Sequence, residues 1–166
     1  CKDTGVKTIV TLGSMYDHVL HTDTIVSAIA STDELLSELK TRGVNPITYR
    51  GPSGIHSTIH SLAKEQGFEC IGLWCHCPHY LQGTTHFGLL SHLGDILSSW
   101  GGFELDTEDL KITWKNLGKQ IEAIIENSPE LQTMISDLRK AKVKGSWDEA
   151  RKHDKVIQLE DFMKPR

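Results

Sequence analysis

Within five residues the chain sets four side chains able to bind a soft metal, Cys75, His76, Cys77 and His79, and one helical turn separates His56 from His60. Zinc needs three or four such ligands converging from one side. Neighbouring residues of an extended strand point to opposite faces, so Cys75 and Cys77 cannot share a site with His76 while that strand stays extended. The His56/His60 pair also lacks the Glu of His-Glu-x-x-His, which would serve as the base of a hydrolase. No metal and no other cofactor is therefore expected. A nucleophile and base could instead be drawn from Ser14, Ser53 or Cys75 with His21, His76 or His79, but no Gly-x-Ser-x-Gly elbow is present and no acidic third member is singled out by spacing. The stretch Gly51-Pro52-Ser53-Gly54 lies between a strand and a helix start. Unpaired amides and the positive end of a helix dipole make that a natural anion site, although any tight strand-to-helix turn asks for the same residues. A Walker lysine and a Gly-x-Gly-x-x-Gly fingerprint are both missing.

Placing these residues requires the elements around them. The β-branched run from Val6 to Gly13 predicts a buried strand, Ile25 to Ala30 a second, Asn45 to Arg50 a third and Glu69 to His76 a fourth, leading into a loop from Cys77 to Gly83. Between them, Ser31-x-x-Glu34 reads as a capping box opening a helix with Leu35, Leu36 and Leu39 on its apolar face. A second helix carries Ile55, Ile59 and Leu62 and stops at Gly67. Strands alternating with helices predict a largely parallel sheet in an α/β layer structure. Further on, Phe87, Leu90, Leu93, Leu97 and Trp100 recur at helical spacing. Leu110, Trp114, Leu117, Ile121 and Ile125 do the same after an Asp106 N-cap, and Ser128-Pro129 starts a helix with Leu131, Met134, Ile135 and Leu138 on one side. A last charged segment opens on Ser146-x-x-Glu149. The expected organisation is one domain, with residues 1–100 as the α/β sheet core and 101–166 as its helical C-terminal part.

Bulk composition narrows the function. A formal net charge of −4 with 24% charged residues disfavours a binder of phosphate backbones, which needs a concentrated positive field, so no nucleic-acid partner is expected. Lys140, Lys142 and Lys144 are followed by Asp148 and Glu149 and read as a solvated surface. No apolar run approaches the roughly 18 residues needed to span a bilayer, and no signal peptide is visible. A cytoplasmic location with reduced thiols and no membrane partner is expected.

Several motifs in a fixed order carry a resemblance. Thr11-Leu12-Gly13-Ser14, then Asp17, then His21-Thr22, then Tyr49-x-Gly51-Pro52-Ser53-Gly54-Ile55, then Leu73-Trp74 and Pro78-His79-Tyr80 resemble the proteasome assembly chaperone 2 family in its bacterial and archaeal branch. A helix over Gly88 to Leu97, then Leu105-Asp106 and a long helix ending near Glu126, continue the match, which runs roughly from Val6 to Leu138. The resemblance implies a three-layer α/β/α fold similar to the nucleoside phosphorylases, with a C-terminal helical extension, and a homo-oligomer. It implies too that the family's N-terminal strand and glycine-containing loop are missing, in keeping with a chain that begins Cys1-Lys2-Asp3 without an initiator Met. Asp23 stands where the family pattern has Arg after His-Thr, replacing an anion-binding cation with a carboxylate. Two functions follow. The first is a binding, scaffold or chaperone-like assembly protein that meets a protein partner or another copy of itself. The alternative is an enzyme acting on a small polar ligand, either a nucleoside- or phosphate-type hydrolase or transferase or the carboxylate-amine ligase of the family label. In parallel α/β sheets ligands bind beyond the strand carboxyl ends, so the residues expected to line a pocket are His21, Thr22, Gly51, Pro52, Ser53, Gly54, His76, Pro78, His79 and Tyr80.

Overall fold

The computed structural model describes residues 5–47 and 54–144. The element order is β1 (Thr8–Asp17), β2 (Val26–Ala30), α1 (Asp33–Lys40), β3 (Asn45–Pro46), α2 (Ile55–Glu65), β4 (Glu69–Pro78), a 3-10 turn (His79–Leu81), α3 (Phe87–Gly101), α4 (Glu108–Glu126) and α5 (Pro129–Lys144). The expected α/β fold is present, and so are the C-terminal helices. Two compact units divide the chain, one built from Cys1–Met15 with Ile25–Cys75, the other from Tyr16–Thr24 with His76–Arg166.

The first unit is organised by a four-stranded sheet of order β1-β4-β2-β3. β2 runs parallel to β3 with Ser27 opposite Asn45, and antiparallel to β4 with Ala28 opposite Leu73. β1 and β4 start together, Glu69 N donating to Lys7 O and Thr8 Oγ1 to Glu69 Oε2. They also end together, His76 Nδ1 lying 2.7 Å from Asp17 Oδ2, so these two strands run the same way and the sheet is mostly parallel. Val26, Ala28, Cys70, Ile71 and Leu73 are almost wholly buried, and α1 seats Leu35 and Leu39 against this unit's core. Removing that apolar surface from water supplies the main favourable term for folding.

Four local expectations are corrected. β1, read as a buried strand, has no fully buried residue, and Leu12 on it is 49% exposed. Thr32, rather than Ser31, caps α1, its side chain accepting from Leu35 N. Ser31 is occupied elsewhere: its Oγ accepts from Cys70 N while its own N donates to Cys70 O, tying the end of β2 to the start of β4. α2 does not bury the face of Ile55 and Leu62, which are 70% and 56% exposed. The inward face is rotated by one residue to His56, His60 and Ala63: His56 lies against Trp74, His60 bonds Thr11 Oγ1 at 3.0 Å, and Ala63 is buried. Finally, Thr107 occupies the N-cap of α4, with Asp106 Oδ1 accepting from Glu108 N just outside it. Residues 48–50 of the expected third strand and the Ser146-x-x-Glu149 box lie outside the described residues.

The second unit is a helical body whose core joins Leu20, Tyr80 and Leu81 to Leu117 and Ile121 of α4 and to Leu131, Met134, Ile135, Leu138 and Ala141 of α5. Every apolar residue read from the sequence as the inner face of α5 is buried. Ser128 Oγ accepts from Leu131 N at the start of that helix, and Lys142 Nζ reaches Asp23 Oδ1 at 2.6 Å. Among the described residues no helix is long and apolar enough to cross a membrane.

Candidate functional site

At the carboxyl ends of β1 and β4 the second unit gathers a carboxylate and three imidazoles. Asp17 Oδ2 and His76 Nδ1 are 2.7 Å apart, and Asp17 Oδ1 accepts from the His18 amide at 2.7 Å. His79 stands edge-on to the rings of Tyr16 and His18, at centroid distances of 6.2 and 6.3 Å. The hydrogen bond with His76 holds the Asp17 carboxyl below its ordinary range, against a smaller opposing effect of burial. An ionised carboxylate that fixes one imidazole nitrogen sets the ring's orientation, which is how acid–base residues are aimed. Cys77, next in the strand, has its thiol pushed up by burial, which keeps it protonated and weakens it as a nucleophile. Among the described residues no three His, Cys, Asp or Glu side chains come together in a way that could hold a metal ion.

His21 and Tyr80 form a separate buried knot. The Tyr80 hydroxyl accepts from His21 N at 2.7 Å and lies 2.8 Å from His21 Nδ1. With the hydroxyl proton donated to Nδ1, the imidazole carries its own proton on Nε2, a buried nitrogen with no hydrogen-bond partner among the described residues. Burial lowers the His21 pKa, partly offset by the Glu122 carboxylate, and raises that of Tyr80 well above the usual phenol value. His86 behaves alike: its Nδ1 caps α3 by accepting from Leu89 N, its ring stacks on Trp114 at 3.8 Å, and burial pushes its pKa down to about 4. Its Nε2 is likewise buried and unpartnered among the described residues.

The residues singled out from the sequence are thus distributed as follows. His21 bonds Tyr80, His76 bonds Asp17, His79 faces Tyr16 and His18, Pro78 ends β4 in a buried position, and Thr22 lies exposed in the turn after His21. Gly54 belongs to the first unit, where it is the N-cap of α2; Gly51, Pro52 and Ser53 lie outside the described residues. Sequence reasoning missed Asp17 as the partner of His76, and it missed His86 altogether. An acidic residue closing a strand parallel to the one that bears His76 was the available signal for the first.

The first unit holds an open cleft of about 500 Å³ lined by Met15, Ile29, Ile47, Gly54, Ile55, His56, Ser57 and Trp74. Its walls are mainly apolar, with the imidazole of His56 tilted against the Trp74 indole at 4.9 Å.

Several solved structures share this fold. A protein of unknown function from Corynebacterium glutamicum superimposes with a TM-score of 0.75 at 18% identity, over 87% of this chain and 53% of its own. An archaeal homolog of proteasome-assembly chaperone from Pyrococcus furiosus gives 0.60 at 16% identity, over 86% and 58%. A proteasome-assembly chaperone homologue from Mycobacterium tuberculosis gives 0.61 at 24%, over 80% and 55%. The chain therefore spans about half the length of these proteins. No curated protein matches the sequence. The profile of the PAC2 family matches residues 1–125, three-quarters of the chain and all of the sheet, and the chain belongs to that family.

Proposed function

We propose that this chain is a binding or scaffold protein of the assembly-chaperone kind, which works as a homo-oligomer and engages protein subunits through apolar side chains. The observation that supports this reading is the apolar surface of the first unit. Single exposed apolar residues are ordinary on any protein, but here Ile55, 70% exposed, adjoins a cleft walled by Met15, Ile29, Ile47 and Trp74. Contiguous apolar surface of this kind marks contact sites for other chains. The Pyrococcus and Mycobacterium structures with the same fold bear the name of proteasome-assembly chaperone homologues, which makes subunits of an oligomeric assembly the first partners to test. Ile55→Asp places a charge on the rim of the cleft without touching the core. It is expected to leave the free energy of unfolding within about 0.5 kcal/mol of wild type and to weaken subunit capture, followed by native mass spectrometry, about tenfold or more. Capture by the variant equal to that of the wild type would remove this surface from the account.

The Asp17–His76 pair favours a second reading, an enzyme on a small polar or nucleoside-like substrate with these residues and His21 or His79 in acid–base roles. A thermal-shift screen with nucleosides, nucleotides and inorganic phosphate separates the two. A compound that raises the melting temperature of the wild type and leaves Asp17→Asn unmoved would favour the enzyme.

A further inference from the structure

The segment Tyr16–Thr24 belongs to the helical unit and is seated in it: Val19, Leu20 and His21 are 5%, 9% and 5% exposed. Leu20 joins the core cluster of Tyr80, Leu81, Leu117 and Ile121, but the polar ties of the segment end mostly on ionisable groups. Asp17 meets His76 at 2.7 Å, Asp23 Oδ1 meets Lys142 of α5 at 2.6 Å, and His21 meets the Tyr80 phenol through both its amide and its Nδ1. The rest of this core differs. α4 and α5 contribute Leu117, Ile121, Leu131, Ile135 and Leu138 to it, aliphatic side chains that carry no titratable group. Acid can therefore loosen the segment while these two helices keep their packing.

Facing the His21 ring are Tyr80 from the turn after β4, His86 at the start of α3, Glu122 of α4, Arg139 of α5 and Asp23 of its own turn. While the ring is neutral its Nδ1 accepts the phenol proton. A second ring proton removes that acceptor, strands the phenol proton, and leaves a cation whose Nε2 is buried with no hydrogen-bond partner among the described residues. Burial disfavours this cation most; Glu122 and Asp23 favour it, Arg139 opposes it, and the balance keeps the docked ring below its ordinary 6.5. A ring released into water returns to that ordinary value. The released segment thus binds a proton that the docked one refuses, and falling pH favours release from about 6.5 downward. The Asp17 carboxyl, held below 3.8 by its bond with His76, stays ionised over the upper part of this window.

We propose that Tyr16–Thr24 is an acid-released latch, which neutral His21 keeps docked and protonated His21 lets go while α4 and α5 stay packed. Release uncovers the seat of Leu20 in the helical core, so acid turns a buried apolar patch into an exposed one. Hydrogen exchange of the full chain, read residue by residue by NMR and corrected for the intrinsic rate at each pH, tests this directly. The His18, Leu20, His21 and Asp23 amides all donate bonds within the latch or to Tyr80, so their exchange reports its opening. Their opening constant is expected to rise as pH falls from 6.5 to 5, approaching about tenfold per pH unit for one proton, and to stay well above that of the Leu117 and Ile121 amides throughout. His21→Gln, which cannot titrate, is expected to flatten the rise. Should that variant fail to fold, the wild-type comparison of latch with α4 decides alone. A latch that opens only together with α4, at one common free energy, overturns the proposal. So does an opening that stays constant between pH 6.5 and 5, or a rise that persists unchanged in His21→Gln.

Discussion

His86 is buried in the helical unit with one ring nitrogen capping α3, the ring stacked on Trp114, and the other nitrogen buried without a hydrogen-bond partner among the described residues, the nearby His21 backbone offsetting burial only in part. Such an imidazole is stable only while neutral, and its folded pKa of about 4 lies well below the 6.5 of a solvated histidine. Above pH 6.5 the group is neutral in folded and unfolded chains alike and contributes no pH dependence. As pH falls from 6.5 towards 4 the unfolded chain takes up a proton that the folded chain refuses, so stability declines across that window and levels off beneath it. The difference is worth roughly 3 kcal/mol at most. His21, lowered for the same reason, acts in the same direction. Asp17 belongs to a more acidic window: its lowered carboxyl adds stability above 3.8 that disappears as pH drops through its folded value. Urea midpoints should therefore stay level from pH 7.5 to about 6.5 and fall from there to 4, and His86→Asn, which keeps a capping oxygen but cannot titrate, should flatten the slope between 6.5 and 4. Equal slopes for the two proteins would show that His86 takes up its proton as readily folded as unfolded.

At the scale of elements, α3 and α4 are held together by a close approach. A Cβ on Gly88 would lie 2.5 Å from Trp114 Cδ1 and 2.6 Å from Trp114 Nε1, whereas one on Gly118 would meet nothing within 4 Å. Gly88→Ala is expected to cost about 1–3 kcal/mol through overpacking, and Gly118→Ala, inside α4, to gain about 0.5–1 kcal/mol from reduced backbone entropy. Denaturant titration checks both; the same sign for the two would contradict the packing described. The faces of α4 and α5 were plainly legible in the sequence, whereas α3 buries Leu89, Leu93 and Ile96 and leaves Leu90, read as part of its apolar face, 44% exposed. Leu117, Ile121, Leu131, Met134, Ile135 and Leu138 repeat at the helical period and all are buried, because a long amphipathic face admits one orientation. α2 was legible as a helix and misread as a face. Its periodicity is satisfied equally by Ile55/Ile59/Leu62 and by His56/His60/Ala63, and the choice was made by Thr11, Gly72 and Trp74 of the sheet, residues of other elements that the helix's own pattern does not encode. The candidate site was legible in part for the same reason. His21, Tyr80 and His76 could be named from their types and their place near strand ends, but the bonds His21–Tyr80 and Asp17–His76 each join residues 59 positions apart, a distance that no local pattern encodes.

For the molecule as a whole, membership of the PAC2 family and the shared fold set the frame, while the exposed apolar residues of the first unit give the assembly reading its physical content. Burying Ile55 and the cleft beside it against other chains removes apolar surface from water, the dominant favourable term in most protein association. The enzyme reading makes a different demand, a small ligand that stabilises the folded chain alone. Sedimentation velocity on the wild-type chain over a wide concentration range bears most directly on the choice. The assembly account predicts a sedimentation coefficient that climbs with concentration toward a defined oligomer; a single monomer boundary at every concentration would contradict it.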